Sequence, residues 1–205
     1  MNGFYRSKVM AVLFVGLPLL AVLLYFLSPD VGMPLGAFTA MVVSSAAGLL
    51  ASTTLSVSII NERSQGAFDL FLVRPVRRSH LLLAKYVAVL ACVLVAAALA
   101  LVLANGYDWV SSGAVDLGAL YEPFMVTLAM ASITCAAAVL FGSLVRTVLV
   151  GVILTIYGGN QLSALAVLPA LQEMAPLEIT VAISLIASAV ILGIAAIIFS
   201  RKLGN

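Results

Sequence analysis

Charged side chains are scarce in this sequence. Only 9% of the 205 residues are Asp, Glu, Lys or Arg, whereas 64% are apolar. A soluble domain carries roughly 25% charged residues, and its helices need polar outer faces. The composition therefore excludes a soluble globular domain, and it predicts that most of the chain lies in a lipid bilayer.

Residues that perform chemistry are also scarce. His80 is the only histidine, and the two cysteines, Cys92 and Cys135, fall within apolar runs. With neither a histidine cluster nor a histidine–carboxylate pair, we expect no metal site, no catalytic residue and no cofactor on this chain. The apolar runs also hold no charge at depth, which disfavours an ion-coupled carrier, although backbone carbonyls too can bind sodium.

Six long apolar runs are present instead. Each has close to the roughly 20 residues that a helix needs to cross a bilayer, and none alternates as the strands of a membrane barrel do. The sequence predicts an all-α integral membrane protein with a single transmembrane domain over residues 1–205. The predicted spans are 9–27, 35–60, 81–104, 124–145, 147–171 and 179–200.

The charges predict the orientation of these spans. If both termini are cytoplasmic, all ten Lys and Arg residues fall in cytoplasmic segments, and six of the eight acidic residues fall in outer loops. This is the distribution that the positive-inside rule requires. We therefore expect a multi-pass protein of the plasma membrane with both termini in the cytoplasm.

One cytoplasmic segment, 61–80, is unusually basic for this chain. Phe68, Phe71 and Leu72 have the spacing of one helical face, and Pro75 ends the pattern. Glu62 near the start suits the positive end of a helix dipole. The segment therefore predicts a short amphipathic helix between spans two and three, although a basic patch that holds anionic lipid headgroups fits equally well.

The residues of this segment resemble the signature of the ABC-2 type transporter permeases. The stretch "ERSQGAFDLFLVRPVRRSHLLLAK" matches a family pattern of Glu-Arg, a glycine, an acidic residue, a proline, an arginine and a later lysine. In that family the segment is a coupling helix that docks on a separate ATPase. The resemblance thus implies ATPase-coupling roles for Glu62, Gly66, Phe68, Asp69, Phe71, Arg74, Pro75, Arg78 and Lys85.

The same resemblance implies partners. The chain has no Gly-rich phosphate loop, so ATP and magnesium would bind to an ABC ATPase subunit on another polypeptide. Six spans are half a transporter in this family, which implies a second permease, either a second copy or a related chain. The implied function is the permease subunit of an ATP-driven exporter. We expect contacts with membrane lipid and none with nucleic acid.

Two polar regions are candidates for the translocation path or for a dimer interface. Small residues recur every four positions from Gly36 to Ser56, a ridge that suits close helix packing between two subunits or within one. The stretch "YGGNQLS" at 157–163 weakens the fifth span, which leaves open either a continuous span or two short or re-entrant pieces from about 158 to 178. The candidate residues are Ser44, Ser45, Gly48, Ser52, Thr53, Asn160 and Gln161.

Two alternatives to a permease stay open. The first is a membrane-anchored scaffold whose basic segment binds lipid or a cytosolic partner, and the second is an ion-coupled carrier. A stable complex with an ATP-binding protein would favour the permease. Salt-sensitive lipid binding without such a complex would favour the scaffold, and transport that follows an ion gradient would favour the carrier.

Overall fold

The computed structural model of the chain describes residues 15–16, 18–19, 22–23, 26, 35–64, 78–112, 118–172 and 174–202. These residues form helices joined by short turns and contain no strand, which confirms the predicted all-α class. Five helical segments are long and apolar enough to cross a membrane. The described positions of the first predicted span are helical, but most of that span lies outside the described residues, so the sixth crossing stays a prediction.

Each described helical segment overlaps one predicted span. Helix α1 is Leu35–Ser64, α2 is Arg78–Ser112 and α3 is Gly118–Leu144. The fifth predicted span comprises α4, Val148–Leu154, a single π-helical turn, Thr155–Gly159, and α5, Asn160–Leu171. Helix α6 is Leu177–Lys202.

Helix α3 lies at the centre of the bundle. Its residues 131–139 are buried on every side, and it packs against α1, α2, α6 and the fifth span. Most of these side chains are small, as in "ASITCAAAV", which lets neighbouring backbones approach closely. Larger apolar side chains cover the outer faces of α2 and α6, as expected for helices that face lipid.

The helices extend further than the apolar runs predicted. The predicted third span ends at residue 104 and the fourth begins at 124, but residues 105–112 continue α2, and α3 already begins at Gly118. Helix α2 has 35 residues, which at 1.5 Å per residue is about 50 Å, well beyond the roughly 30 Å of the hydrocarbon core. The bilayer limits only the apolar part of a helix, so polar residues beyond it can stay helical.

Of the two possibilities for the fifth span, the structure shows the continuous one up to Leu171. The pair Gly158–Gly159 lies in the π-helical turn, and the chain continues as a helix to Leu171. The backbone N–H of Asn160 points back to the carbonyls of Ile156 and Tyr157, so the backbone hydrogen bonding of the helix continues through the glycines. A π turn adds one residue locally without ending the helix, and this is why the glycines do not produce a re-entrant piece.

Candidate functional site at the basic end of the bundle

The basic residues of the described helices lie at one end of the bundle, and the acidic residues other than Glu62 lie at the other. Arg63, His80, Lys85 and Arg146 lie at one end, which we call the basic end. Asp108, Glu122 and Glu178 lie at the opposite, acidic end, where the Asp108 carboxylate accepts a hydrogen bond from the Leu35 backbone N–H at 3.1 Å. The structure therefore groups the charges as the sequence predicted.

Helix α1 continues through the start of the predicted coupling segment. We expected a new helix from residue 61, but Asn61–Ser64 form the last turn of α1. No glycine or proline interrupts the sequence before Gly66, so nothing stops the helix at the membrane boundary. Glu62 therefore lies at the negative end of a helix dipole, which does not favour its carboxylate, contrary to our expectation.

Lys85 on α2 offsets the unfavourable position of the Glu62 carboxylate. The Glu62 carboxylate forms an ion pair with the Lys85 ammonium, and it also accepts a hydrogen bond from the Ser58 hydroxyl at 3.4 Å. Lys85 is 8% exposed, one turn inside the apolar part of α2. An ammonium at that depth is costly without a counter-ion. The ion pair joins the two helix ends that flank residues 65–77.

The neighbouring residue on α1 binds a different helix. The Arg63 guanidinium donates a hydrogen bond to the Ser143 carbonyl, at 2.8 Å, in the last turn of α3. The last carbonyls of a helix have no partner within it, and a cation is favourable there. Sequence analysis missed this role, because Arg63 and Ser143 are eighty positions apart and the contact depends on how α1 and α3 pack.

Helices α1 and α3 also approach closely at this end. A Cβ at Gly142 would lie 3.2 Å from the Cβ of Ile59 and 3.5 Å from the Ser56 carbonyl oxygen. Only glycine leaves room for this contact without displacing a β-branched side chain. The close approach packs the part of α1 just before its last turn against the last turn of α3.

The residues predicted for ATPase coupling are only partly described. Glu62 and Lys85 are brought together as an ion pair, and Arg78 is the first residue of α2. The remaining six lie outside the described residues, and they are Gly66, Phe68, Asp69, Phe71, Arg74 and Pro75.

The predicted path residues are divided between buried and outward positions. Gly48 faces α3, where a Cβ would lie 3.1 Å from the Thr134 hydroxyl oxygen, and Ser52, one turn further, is fully buried. Much of the ridge therefore packs within the chain. Ser45 and Gln161 are exposed, whereas the other members are half-buried, and they are Ser44, Thr53 and Asn160.

The hydroxyl groups of Ser45 and Thr53 on α1 do not require a partner subunit. Ser45 donates to the Val42 carbonyl at 3.1 Å, and Thr53 donates to the Leu49 carbonyl at 2.9 Å. Such bonds to the preceding turn satisfy a hydroxyl inside a membrane helix. The amide of Gln161 is different, because it is an exposed polar group within a candidate span. It is the stronger candidate for a surface that does not face lipid.

The acidic end has an apolar cleft of about 240 Å³. It lies between α1, α2 and described residues of the first predicted span. Thr39 contributes a polar side chain, but its hydroxyl is buried and has no hydrogen-bond partner in the described structure. The lining residues are Pro18, Val22, Phe26, Leu35, Thr39, Ala100, Leu103, Ala104 and Tyr107.

The described spans and the basic end lie inside one matched region. A family model described as "ABC-2 family transporter protein" matches residues 30–197, which is most of the chain. The chain belongs to the ABC-2 transporter family. Comparisons with curated proteins and with solved structures give no match.

Membership of the ABC-2 family agrees with the structure on two points. ABC-2 proteins of this kind are membrane transport components, and five helical segments of the described chain are long enough to span a membrane. The matched region includes α1, α2, the segment between them and the Glu62–Lys85 pair. The protein is thus a multi-pass ABC-2 transport permease.

Proposed function

We propose that this permease is one half of an ATP-driven exporter and that a separate ABC ATPase drives it through residues 65–77. The observation that carries the proposal is the ion pair between Glu62 and Lys85. It lies at the basic end, where the chain leaves α1 and enters α2. A docking segment can move membrane helices only if its ends are firmly joined to them.

The ion pair provides such a joint. Lys85 is buried, so separation from the Glu62 carboxylate would leave a charge in apolar surroundings. The ends of α1 and α2 therefore move together rather than independently. Force on residues 65–77 would reach both spans instead of being absorbed by a loose loop.

The ATPase is the proposed site of ATP and magnesium. Phe68 and Phe71 would enter an apolar groove on that subunit, as amphipathic helices commonly do, and the nearby arginines would meet carboxylates at its rim. Closure of an ATPase dimer around ATP would displace two such segments, one in each permease. This requires a second permease, a copy or a related chain, related by two-fold symmetry.

The substrate path would run between the two permeases. Outward-facing polar residues on α1 and the fifth span support this position, since an amide such as that of Gln161 is costly against lipid. The candidates that remain accessible for the path are Ser44, Ser45, Thr53, Asn160 and Gln161.

The proposed orientation puts the basic end in the cytoplasm. The separation of basic from acidic residues supports it through the positive-inside rule. Single cysteines at positions 112 and 77 test it in intact cells with an impermeant maleimide. Labelling at 112 with protection at 77 is expected, and the reverse result would overturn the orientation.

Purification tests the central proposal. The tagged chain is extracted from its own host, and the eluate is examined for an ATP-binding subunit and for Mg-ATP hydrolysis. A complex of two permeases and two ATPases is expected. The control replaces residues 65–77 with Gly and Ser at equal length, which should release the ATPase without unfolding the permease. A monomeric chain that transports along an ion gradient without ATP would refute the proposal.

A further inference from the structure

Arg63 connects the last turn of α1 to the start of the fifth span. Its guanidinium holds the Ser143 carbonyl, one residue before α3 ends at Leu144. Only Val145, Arg146 and Thr147 separate that end from α4, which begins at Val148. A displacement of Ser143 therefore acts almost directly on α4.

The turn between α3 and α4 is short and ordered by backbone hydrogen bonds. The Val145 N–H donates to the Phe141 carbonyl at 2.9 Å, and the Gly151 N–H donates to the Thr147 carbonyl at 3.1 Å. Thr147 is extended, with φ −104° and ψ 133°, and it starts α4 without a side-chain cap. A turn of this length leaves little slack between α3 and α4.

Glu62 and Arg63 point to different helices because successive helical residues are about 100° apart. Glu62 binds Lys85 on α2, and Arg63 binds the end of α3. One turn of α1 therefore has two connections. The first joins the ends of the proposed docking segment, and the second leads away from it towards α4.

We propose that Arg63 is a positioning residue that transmits movement of the basic end of α1 to the fifth span through the Ser143 carbonyl. The proposal rests on the function proposed above, and it adds a residue and a route. Three contacts among the described residues support this route: the Arg63 hydrogen bond, the close approach of Gly142 to Ile59, and the short turn between α3 and α4.

Arginine suits this role better than lysine. A guanidinium is planar, always charged and carries several donors, so it can hold a carbonyl while its orientation stays fixed. Arg146 provides a matched control, because it is an exposed arginine in the turn itself, only three residues beyond Ser143. If a positive charge at the basic end were sufficient to transmit the movement, substitution of either arginine would have the same effect.

The test uses the complete permease–ATPase complex in nanodiscs. A cysteine replaces Tyr157, an exposed residue in the π-helical turn of the fifth span, and its reaction with a membrane-permeant maleimide reports movement of that span. The rate is measured without nucleotide and with Mg-ATP plus orthovanadate. The native cysteines Cys92 and Cys135 are buried, and the parent without Tyr157→Cys gives the background.

Three variants are compared in that background: Arg63→Met, Arg63→Lys and Arg146→Met. We expect Arg63→Met to keep ATPase binding and ATP hydrolysis but to reduce the nucleotide-dependent change in labelling about tenfold, as expected for loss of a charge-assisted hydrogen bond. Arg63→Lys should retain part of the change, and Arg146→Met should resemble the parent. A merely structural role would lower the thermal midpoint without separating hydrolysis from movement.

The outcomes separate this inference from the function on which it rests. A native chain that purifies without an ATPase overturns both. An intact complex in which position 157 does not respond to nucleotide, or responds equally in Arg63→Met, overturns the inference alone. An equal loss in Arg146→Met also overturns it. If Arg63→Met does not assemble, Arg63→Gln, which is neutral but keeps donors, is judged by the same criteria.

Discussion

The carboxylate of Glu62 is paired with the ammonium of Lys85, and the two residues stand on either side of segment 65–77. The pair joins a carboxylate at an unfavourable helix end to an ammonium in apolar surroundings, so each compensates for the position of the other. The pair therefore connects α1 to α2 at the basic end.

The two partners of this pair should respond unequally to substitution. Glu62→Gln leaves Lys85 buried without that carboxylate, and we expect a loss of about 2 kcal/mol of stability, reduced from a fully buried pair because Glu62 is partly exposed. Lys85→Met should cost less, since the Glu62 side chain can turn to water. Thermal unfolding in detergent measures both changes. A double variant as unstable as the sum of the two would show that they do not interact.

Close packing of α1 and α3 should make Gly142 intolerant of a side chain. Gly142→Ala places a Cβ against Ile59, and we expect it to destabilise the protein by about 1–3 kcal/mol. Gly193 on α6 is the control, because no atom lies within 4 Å of its Cβ position. Gly193→Ala should be neutral or stabilising by up to about 1 kcal/mol. Equal midpoints for the two variants would contradict the packing described at the basic end.

The π-helical turn should absorb a deletion. Removal of Ile156 from Thr155–Gly159 would convert the turn to α-helix while α4 and α5 keep their faces, so the variant should fold. Removal of Ile186 from α6 should not be tolerated, because it rotates the buried Ser188 out of line with Ser184. Size-exclusion profiles and thermal midpoints distinguish the two. Aggregation of the Ile156 deletion variant alone would show that the extra residue is needed for packing.

The proposed docking segment should depend more on its aromatic residues than on its arginines. Phe71→Ala should weaken ATPase binding by about 3 kcal/mol or less, whereas Arg77→Ala with Arg78→Ala should cost about 1 kcal/mol each or less and be masked by salt. Complex stability and ATPase stimulation are measured at two salt concentrations. If only the arginine variant is defective, and only at low salt, the segment binds lipid headgroups rather than an ATPase.

Helix positions were largely predictable from the sequence because lipid imposes a simple rule. In the hydrocarbon core no water is available, so the backbone N–H and C=O groups must form hydrogen bonds within each helix. The length of an apolar run is therefore enough to mark a span. The ends were less predictable, as Asn61–Ser64 and residues 105–112 show, because nothing in an apolar run says how far a helix continues into water. The glycines of the fifth span predicted a weak point, but not that a π turn would accommodate it.

The candidate site, too, was predictable from the sequence only in part. The sequence alone determined the class of protein and the concentration of positive charge in and around segment 65–77, since these depend on composition, and the family resemblance selected Glu62 and Lys85. Only the tertiary structure decided that these two residues form an ion pair, that Arg63 binds the end of α3, and that Gly48 faces α3 within the chain. Contacts between distant residues depend on the rotation and crossing of packed helices, which no single helix encodes by itself.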